Sequence, residues 1–255
     1  MKIGILYIGI GRYACFWPDF YNSCQKNLVP EADKYYYVFT DTDKNHIEPS
    51  DHIMVFHQDD MGWPCNSLFR FKMFKRIEEQ LKSNDYLFFF NANVVIVSTI
   101  SAKDILPSDE EEYSALCIST DITTIVHESR QSSASYIAPY EATCYFSGAL
   151  NGGKCMSYIK LINDCDKLVD VDLENGIMPI WHDETVLNKF LHGKNIKMMY
   201  RDMGKPENWR KPRNAKIILR RKESVLGRNW LRNYKGRPHT NTWLRKLLNK
   251  IGIIK

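Results

Sequence analysis

Apolar positions in the first half of the chain fall into short runs separated by amphipathic stretches, the pattern of strands alternating with helices. Lys2 to Ile10 alternates little and is rich in Ile, Leu and Gly, as a strand buried on both faces would be. Phe16, Phe20, Cys24 and Leu28 recur at four-residue spacing, which predicts a helix packed on that strand. Tyr35-Tyr36-Tyr37-Val38-Phe39 then reads as an aromatic strand closing at Thr40-Asp41, and a third short strand is predicted over Ile53 to Phe56. Gly62-Trp63-Pro64 leads into a helix expected from about Ser67 to Lys82, with Phe74, Ile77 and Leu81 on one side. Tyr86 to Phe90 is apolar apart from its leading tyrosine and runs straight into Asn91-Ala92-Asn93. This alternation predicts an α/β fold, a single Rossmann-like domain whose mostly parallel central sheet is covered by helices on both faces.

In the second half, Asp109 to Glu112 reads as a solvated turn and Ser119 to Tyr140, rich in Ser and Thr, as a loop or irregular strands. Tyr145 to Leu150 is expected to be a strand, ending at Asn151-Gly152-Gly153 in a tight turn or a close backbone approach. Helices follow over Cys155 to Val169 and along the spacing of Val186, Leu187, Phe190 and Leu191, the latter starting near Asp183.

Ligands of open α/β sheets collect at the carboxyl ends of strands, which makes Asn91 and Asn93 candidates for binding. Strand alternation would turn both amides the same way and Ala92 the other. Carboxylates there would suit a divalent ion across a diphosphate, whereas neutral amides bind hard cations poorly. Taken alone, the segment reads as a strand closed by turn-forming residues. Trp181-His182-Asp183-Glu184 brings together an aromatic platform, an imidazole and two acids at a predicted helix start. Asp183 as cap and Glu184 in the first turn are a sufficient structural account. The indole adds a surface on which the apolar face of a galactose-like sugar can stack, while carboxylates accept hydrogen bonds from its hydroxyls. Glu184 is the candidate catalytic carboxylate beside an anomeric carbon, by analogy with glycoside hydrolysis. A departing diphosphate needs cations, for which Arg70, Arg221 and Lys222 are the candidates.

Charge is unevenly distributed. Twelve of the 35 Lys and Arg lie between Lys216 and Lys255, against one of the 30 acids, Glu223. A mildly acidic domain over residues 1–215 with a basic amphipathic tail over 216–255 is therefore expected, the tail facing an anionic surface. Trp230, Leu231, Tyr234, Trp243, Leu244, Leu247, Leu248 and Ile251 are interleaved there with Arg and Lys, which suits an anionic membrane leaflet. Residues 1 to 20 hold no long apolar run with a basic flank, and no stretch approaches roughly 18 uncharged apolar residues. A cytoplasmic chain is expected, peripheral to the inner face of the cell membrane through its tail. The 7 cysteines are scattered, without a Cys-X-X-Cys pair, and are read as buried small apolar residues in place of disulfides or a zinc site.

Several motifs together resemble one family. Lys34-Tyr35-Tyr36-Tyr37-Val38-Phe39-Thr40-Asp41, Trp63 with Ser67, Arg70 and Met73, and Tyr86-Leu87 before Asn91-Ala92-Asn93 form its first part. Glu128 to Ile137, Asn175-Gly176-Ile177, Trp181-His182-Asp183-Glu184 and Leu187-Asn188-Lys189 continue it. In this order they resemble the family 6 glycosyltransferases, which include the mammalian blood group A and B transferases and a bacterial branch. The match spans roughly residues 3 to 202 and fades in the basic tail.

The resemblance implies a GT-A fold and retaining transfer of galactose or N-acetylgalactosamine from its UDP donor to the 3-hydroxyl of a galactose acceptor, often fucosylated, forming an α1,3 linkage. The bacterial branch carries Asn-X-Asn where mammalian members carry Asp-X-Asp and works without a metal, so no cofactor is expected. By motif position, Ile8, Ile10 and Tyr13 would contact uridine, and Arg70, Asp183, Asn91 and Asn93 the donor sugar or diphosphate. Glu184 would be catalytic, while Trp181 and His182 would form the acceptor site, facing acceptor or donor hydroxyls. Ser147-Gly148-Ala149 aligns with the donor-specificity motif, in which Ala at the last position goes with galactose because its methyl crowds an acetamido group. The family's His-Pro-Gly-Phe-Tyr acceptor segment has no counterpart between Cys117 and Ile125.

Two other readings compete. A non-catalytic nucleic-acid- or glycan-binding protein would use the basic tail, whereas the transferase needs no nucleic acid. A glycoside hydrolase using Asp183 and Glu184 is disfavoured, because adjacent acids on one helix do not flank a bond from opposite sides.

Overall fold

Ile3, Ile5, Leu6 and Tyr7 are buried, and such a strand needs neighbours on both edges and cover on both faces. A computed structural model describes residues 1–42, 47, 50–121, 123–200, 203–208 and 215–227. The chain opens with β1 (Lys2–Ile8), a 3-10 turn (Gly11–Phe16), α1 (Trp17–Asn27), β2 (Asp33–Thr40) and β3 (Ile53–His57). Three short helices follow, α2 (Cys65–Leu68), α3 (Arg70–Lys75) and α4 (Glu78–Leu81), then β4 (Tyr86–Phe90), β5 (Val94–Ile96) and α5 (Ala102–Ile105). The remainder is β6 (Tyr113–Ser119), β7 (Tyr145–Lys154), α6 (Cys155–Glu174), α7 (Asp183–Leu191), β8 (Ile196–Tyr200), β9 (Gly204–Pro206), β10 (Ile217–Leu219) and α8 (Lys222–Leu226).

The main sheet has 7 strands in the order β3-β2-β1-β4-β7-β6-β8. β7 runs antiparallel to both β4 and β6, while the other pairings are parallel, so the sheet is mostly parallel as expected. Alternation along β4 divides the core. Leu87 and Phe89 pack with α3, α4, α6 and α7 on one face, and Phe88 and Phe90 pack with α1 and the small sheet on the other. From β1 the chain winds outward through β2 and β3, then crosses back to β4 on the other side of β1. Strand order therefore reverses at β1, and a crevice opens at the carboxyl ends of β1 and β4.

Three local expectations are revised. The helix expected over Ser67 to Lys82 is broken at Phe69 (φ −93°, ψ 16°) and Ile77 (φ −118°, ψ 23°). Phe71, Met73, Phe74, Ile77 and Leu81 are all buried, a set too wide for one straight helical stripe, and the breaks let each reach the sheet. The strand from Tyr145 continues through Asn151-Gly152-Gly153 to Lys154, so these glycines serve close approach and make no turn. A Cβ on Gly152 would run into the Phe88 ring, across the β4–β7 pairing. The helix expected to end at Val169 runs on to Glu174.

A second sheet of 3 strands, in the order β5-β10-β9, lies outside the main one. The first residues of the expected tail belong to it or pack beside it: Ile217 and Leu226 are buried. The rest of the tail, including Trp230, Tyr234, Trp243 and the interleaved basic residues after Gly227, lies outside the described residues. Among the described residues no helix is long and apolar enough to cross a membrane.

Gly152→Ala drives a methyl into Phe88 and should destabilise the protein by about 2–3 kcal/mol, the overpacking range. Urea titration checks this as a lower midpoint at unchanged slope.

Candidate active site

The crevice is a cleft of ≈ 680 Å³, counting its open mouth, within the range of small-ligand sites. Ile8 and Ile10 line it from the end of β1 and Tyr13 from the 3-10 turn. Asn66, Ser67 and Arg70 come from α2 and α3, Phe89, Asn91 and Ala92 from the end of β4, Asp183 from α7 and Lys222 from α8. Trp63 completes the wall. Seven of these residues, Ile8, Ile10, Tyr13, Arg70, Asn91, Asp183 and Lys222, were candidates from sequence.

Arg70 organises the acidic end. Its Nη1 lies 2.7 Å from Asp183 Oδ2, with the two side chains only 3% and 14% exposed. The same nitrogen donates to the carbonyl of Gly148 at 2.8 Å. The guanidinium carbon sits 4.5 Å from the Phe89 ring centre and 4.9 Å from that of Phe71. Its Nε and Nη2 are buried and have no hydrogen-bond partner among the described residues.

Glu184 is held at both oxygens. Oε2 accepts from the Gly148 amide at 2.5 Å and Oε1 from the Tyr145 hydroxyl at 2.7 Å. Burial pushes the Glu184 carboxyl up, against the opposing effect of these two hydrogen bonds. Burial likewise raises Asp183, with Arg70 pulling it back. Tyr145 is itself driven well above the usual phenol range by burial and the Glu184 charge, so it stays protonated and donates. A Cβ on Gly148 would stand 3.1 Å from Asp183 Oδ2 and 3.3 Å from Glu184 Oε2, which makes glycine the residue that admits both acids. Asn188 fastens α7 to β7: its Oδ1 accepts from Phe146 N at 2.8 Å, and its Nδ2 donates to Phe146 O and Glu184 O, both at 2.8 Å.

The residue before α7 carries strain. His182 has φ 54° and ψ −121°, outside the regions open to an L-residue at low cost. It takes the cap position expected of Asp183, which instead enters the first turn with Glu184 and turns towards Arg70. The His182 ring meets Trp63 edge-on at 5.1 Å, and burial lowers its pKa, so it is neutral near pH 7. Trp181 is 49% exposed and donates from Nε1 to Val126 O at 3.2 Å.

Asn93 and Arg221 go elsewhere. The chain leaves β4 at Phe90 and turns, with Asn91 N–H donating to Ala149 O at 2.9 Å and Val94 N–H returning to Asn91 O at 3.0 Å. Strand alternation therefore does not apply, and only Asn91 of the two amides lines the cleft. Asn93 is 4% exposed. Its Nδ2 donates to Arg220 O at 2.7 Å while Arg220 N–H donates to Asn93 O at 2.8 Å. It clasps the segment that delivers Lys222. Arg221 precedes α8, its amide tied to Glu207 Oε2 at 2.7 Å and its Nε 3.7 Å from Glu223. The helix brings Lys222, not Arg221, to the cleft. Ala149 is buried and, like Ser147, is not among the residues lining the cleft; Ser147 Oγ accepts from Ala149 N at 3.2 Å. Among the described residues, no group of three or more His, Cys, Asp and Glu could hold a metal ion. Sequence reasoning missed Tyr145 and the backbone amide of Gly148 as partners of Glu184, since nothing in a single chain links a strand start to a distant helix.

The family model for glycosyltransferase family 6 matches residues 1–233. The chain is 33% identical over 248 residues to the O-antigen biosynthesis glycosyltransferase WbnI of Escherichia coli, covering 92% of this chain and 100% of that protein. It is 27% identical to the globoside alpha-1,3-N-acetylgalactosaminyltransferase 1 of Gallus gallus, over 88% of this chain and 67% of that one. It is 25% identical to the histo-blood group ABO system transferase 1 of Rattus norvegicus, over 74% and 56%. A mostly parallel sheet with its cleft at the strand-order reversal, and a family match over nearly the whole described chain, lead to one conclusion: this is a glycosyltransferase of family 6 with a GT-A type fold.

Proposed function

We propose that the protein is a retaining hexosyltransferase that moves galactose from UDP-galactose, in preference to N-acetylgalactosamine, to the 3-hydroxyl of a fucosylated galactose acceptor. The product is an α1,3 linkage, and no metal takes part. The observation that carries this reading is one cleft holding the buried Arg70–Asp183 pair beside Glu184, with Lys222 on another wall. Named α1,3-N-acetylgalactosaminyl and ABO transferases among the relatives support the linkage and the sugar class.

In this reaction the bond between the anomeric carbon and the β-phosphate oxygen breaks, and its electron pair leaves with UDP. A bond forms from the anomeric carbon to the acceptor O3, whose proton passes to the departing diphosphate. Glu184, ionised and held at both oxygens, offsets the positive charge that builds on the sugar. Arg70 Nε and Nη2 are donors suited to a sugar hydroxyl or a phosphate oxygen, and Lys222 supplies positive charge for the leaving group. Asn91 stands where an acid would hold a hard cation, and its neutral amide is a poor ligand for one. Ile8, Ile10 and Tyr13 offer an apolar wall for uracil.

Transfer from labelled UDP-galactose to galactosides should persist at full rate in EDTA; a rate that collapses and returns with manganese would sink the metal-free reading. Glu184→Gln should lower kcat by roughly 10³-fold, with donor KM nearly unchanged. An activity within a few-fold of wild type would remove Glu184 from its role.

The acid limb of kcat/KM against pH should lie above the ordinary glutamate range, because activity needs the ionised form of a carboxyl whose pKa burial has raised. Tyr145→Phe removes a donor to that ionised form and should move the limb to still higher pH.

Ala149→Gly removes a methyl and should shift the ratio of kcat/KM for the two donors by roughly tenfold towards UDP-N-acetylgalactosamine. Competition between the two labelled donors reads this directly.

A further inference from the structure

Glu128 lies in the long connection between β6 and β7 and is 2% exposed, a burial that a carboxylate tolerates only when fully satisfied. Its Oε1 accepts from Arg130 Nε at 2.7 Å and from Arg130 N at 3.1 Å. Its Oε2 accepts from Arg130 Nη2 at 2.6 Å and from the amide of Ile180 at 3.2 Å. That same Nη2 donates to Met178 O at 2.6 Å. Two residues earlier, Val126 O accepts from the Trp181 indole at 3.2 Å. Residues 126–130 thus grip the turn over 178–181 at a carbonyl, an amide and an indole.

That turn ends on the left-handed His182, a backbone state costing roughly 1–3 kcal/mol that persists only where the surroundings hold it. The two acids beyond it have their own anchors, Asp183 on Arg70 and Glu184 on Gly148 and Tyr145. The Trp181 backbone is also fastened to α7, its N–H donating to Thr185 Oγ1 at 2.7 Å, so release of the grip would free the exposed indole while leaving the acids in place.

We propose that the Glu128–Arg130 pair is an acceptor-positioning device, which sets the plane of the Trp181 indole for stacking by the acceptor galactoside and acts on acceptor affinity without altering donor chemistry. The inference rests on the reading of Trp181 as the acceptor platform. Neither residue touches substrate; both act through the turn.

The Arg130 side chain is 47% exposed, so Arg130→Ala opens no cavity. It does leave Glu128 buried without its counter-charge, and Arg130→Lys, which keeps that charge, is the variant that guards against loss of folding. In the full-length protein this variant should raise acceptor KM roughly tenfold, the weight of one aromatic stacking contact. Donor KM and the acceptor-independent hydrolysis of UDP-galactose should stay within about twofold, and hydrogen exchange at the Ile180 amide should accelerate. Arg130→Lys, which keeps the charge but not the planar fork, should fall between the two. Unchanged acceptor KM despite faster exchange at Ile180 would overturn the proposal. So would donor hydrolysis falling in step with transfer, or exchange at Ile180 that does not change. A wild-type protein that hydrolyses UDP-galactose but transfers to no galactoside would instead refute the acceptor assignment, and the positioning role with it.

Discussion

A guanidinium removed from water must meet a counter-charge, and the position of Arg70 depends on Asp183 supplying one. The pair is almost fully buried, and stripping one partner from such a pair costs about 3–5 kcal/mol because the other charge is left without compensation. The same guanidinium nitrogen holds the Gly148 carbonyl, and the Gly148 amide holds Glu184. One ion pair therefore registers α3, β7 and α7 against one another at the point where the cleft is deepest in acids. Phe89, from the end of β4, stacks under the guanidinium and ties the central strand into the same contact.

Glycine is what allows this density of polar contacts. At Gly148 a side chain would crowd both acids, and at Gly152 it would strike Phe88, so β7 comes close to α7 at one point and to β4 at another. Asn188 then fixes the helix edge to Phe146 through both ends of its amide. With the helix start anchored at Arg70, Gly148 and Asn188, the strain at His182 is sustained by contacts on either side of it.

The part of the molecule legible in the sequence was the part governed by local burial. Lys2 to Ile10, the four-residue spacing from Phe16 and the aromatic run at Tyr35 each identify an element whose pattern is set by the sheet it joins. The broken helices after Trp63 were not legible, because periodicity records which residues are apolar and not whether one axis can bury them all. Asn91 and Asn93 do not act as a pair for a similar reason: alternation ends with the strand at Phe90, and Asn93 lies three residues further on, inside a turn. Arg70, Asp183 and Lys222 could be named from residue type and motif. That they meet at one cleft depends on a sheet reversal and on a clasp between Asn93 and Arg220, 127 residues apart, which no local pattern encodes.

That clasp changes the electrostatic account of the cleft. Arg70 brings a positive charge already offset by Asp183, so what it offers is its directed Nε and Nη2 donors more than net charge. Lys222 enters from a different wall, its ammonium 5.4 Å from the Tyr13 ring centre, and Asn93 fixes the backbone just before it. The second amide of the Asn-X-Asn segment thus acts on the cleft at one remove, through the placement of Lys222. An acid at position 93 would keep an acceptor but lose the N–H that holds Arg220 O, loosening the segment that carries the cation. Asn is therefore favoured at position 93 by a backbone contact, whereas Asn91 lines the cleft itself.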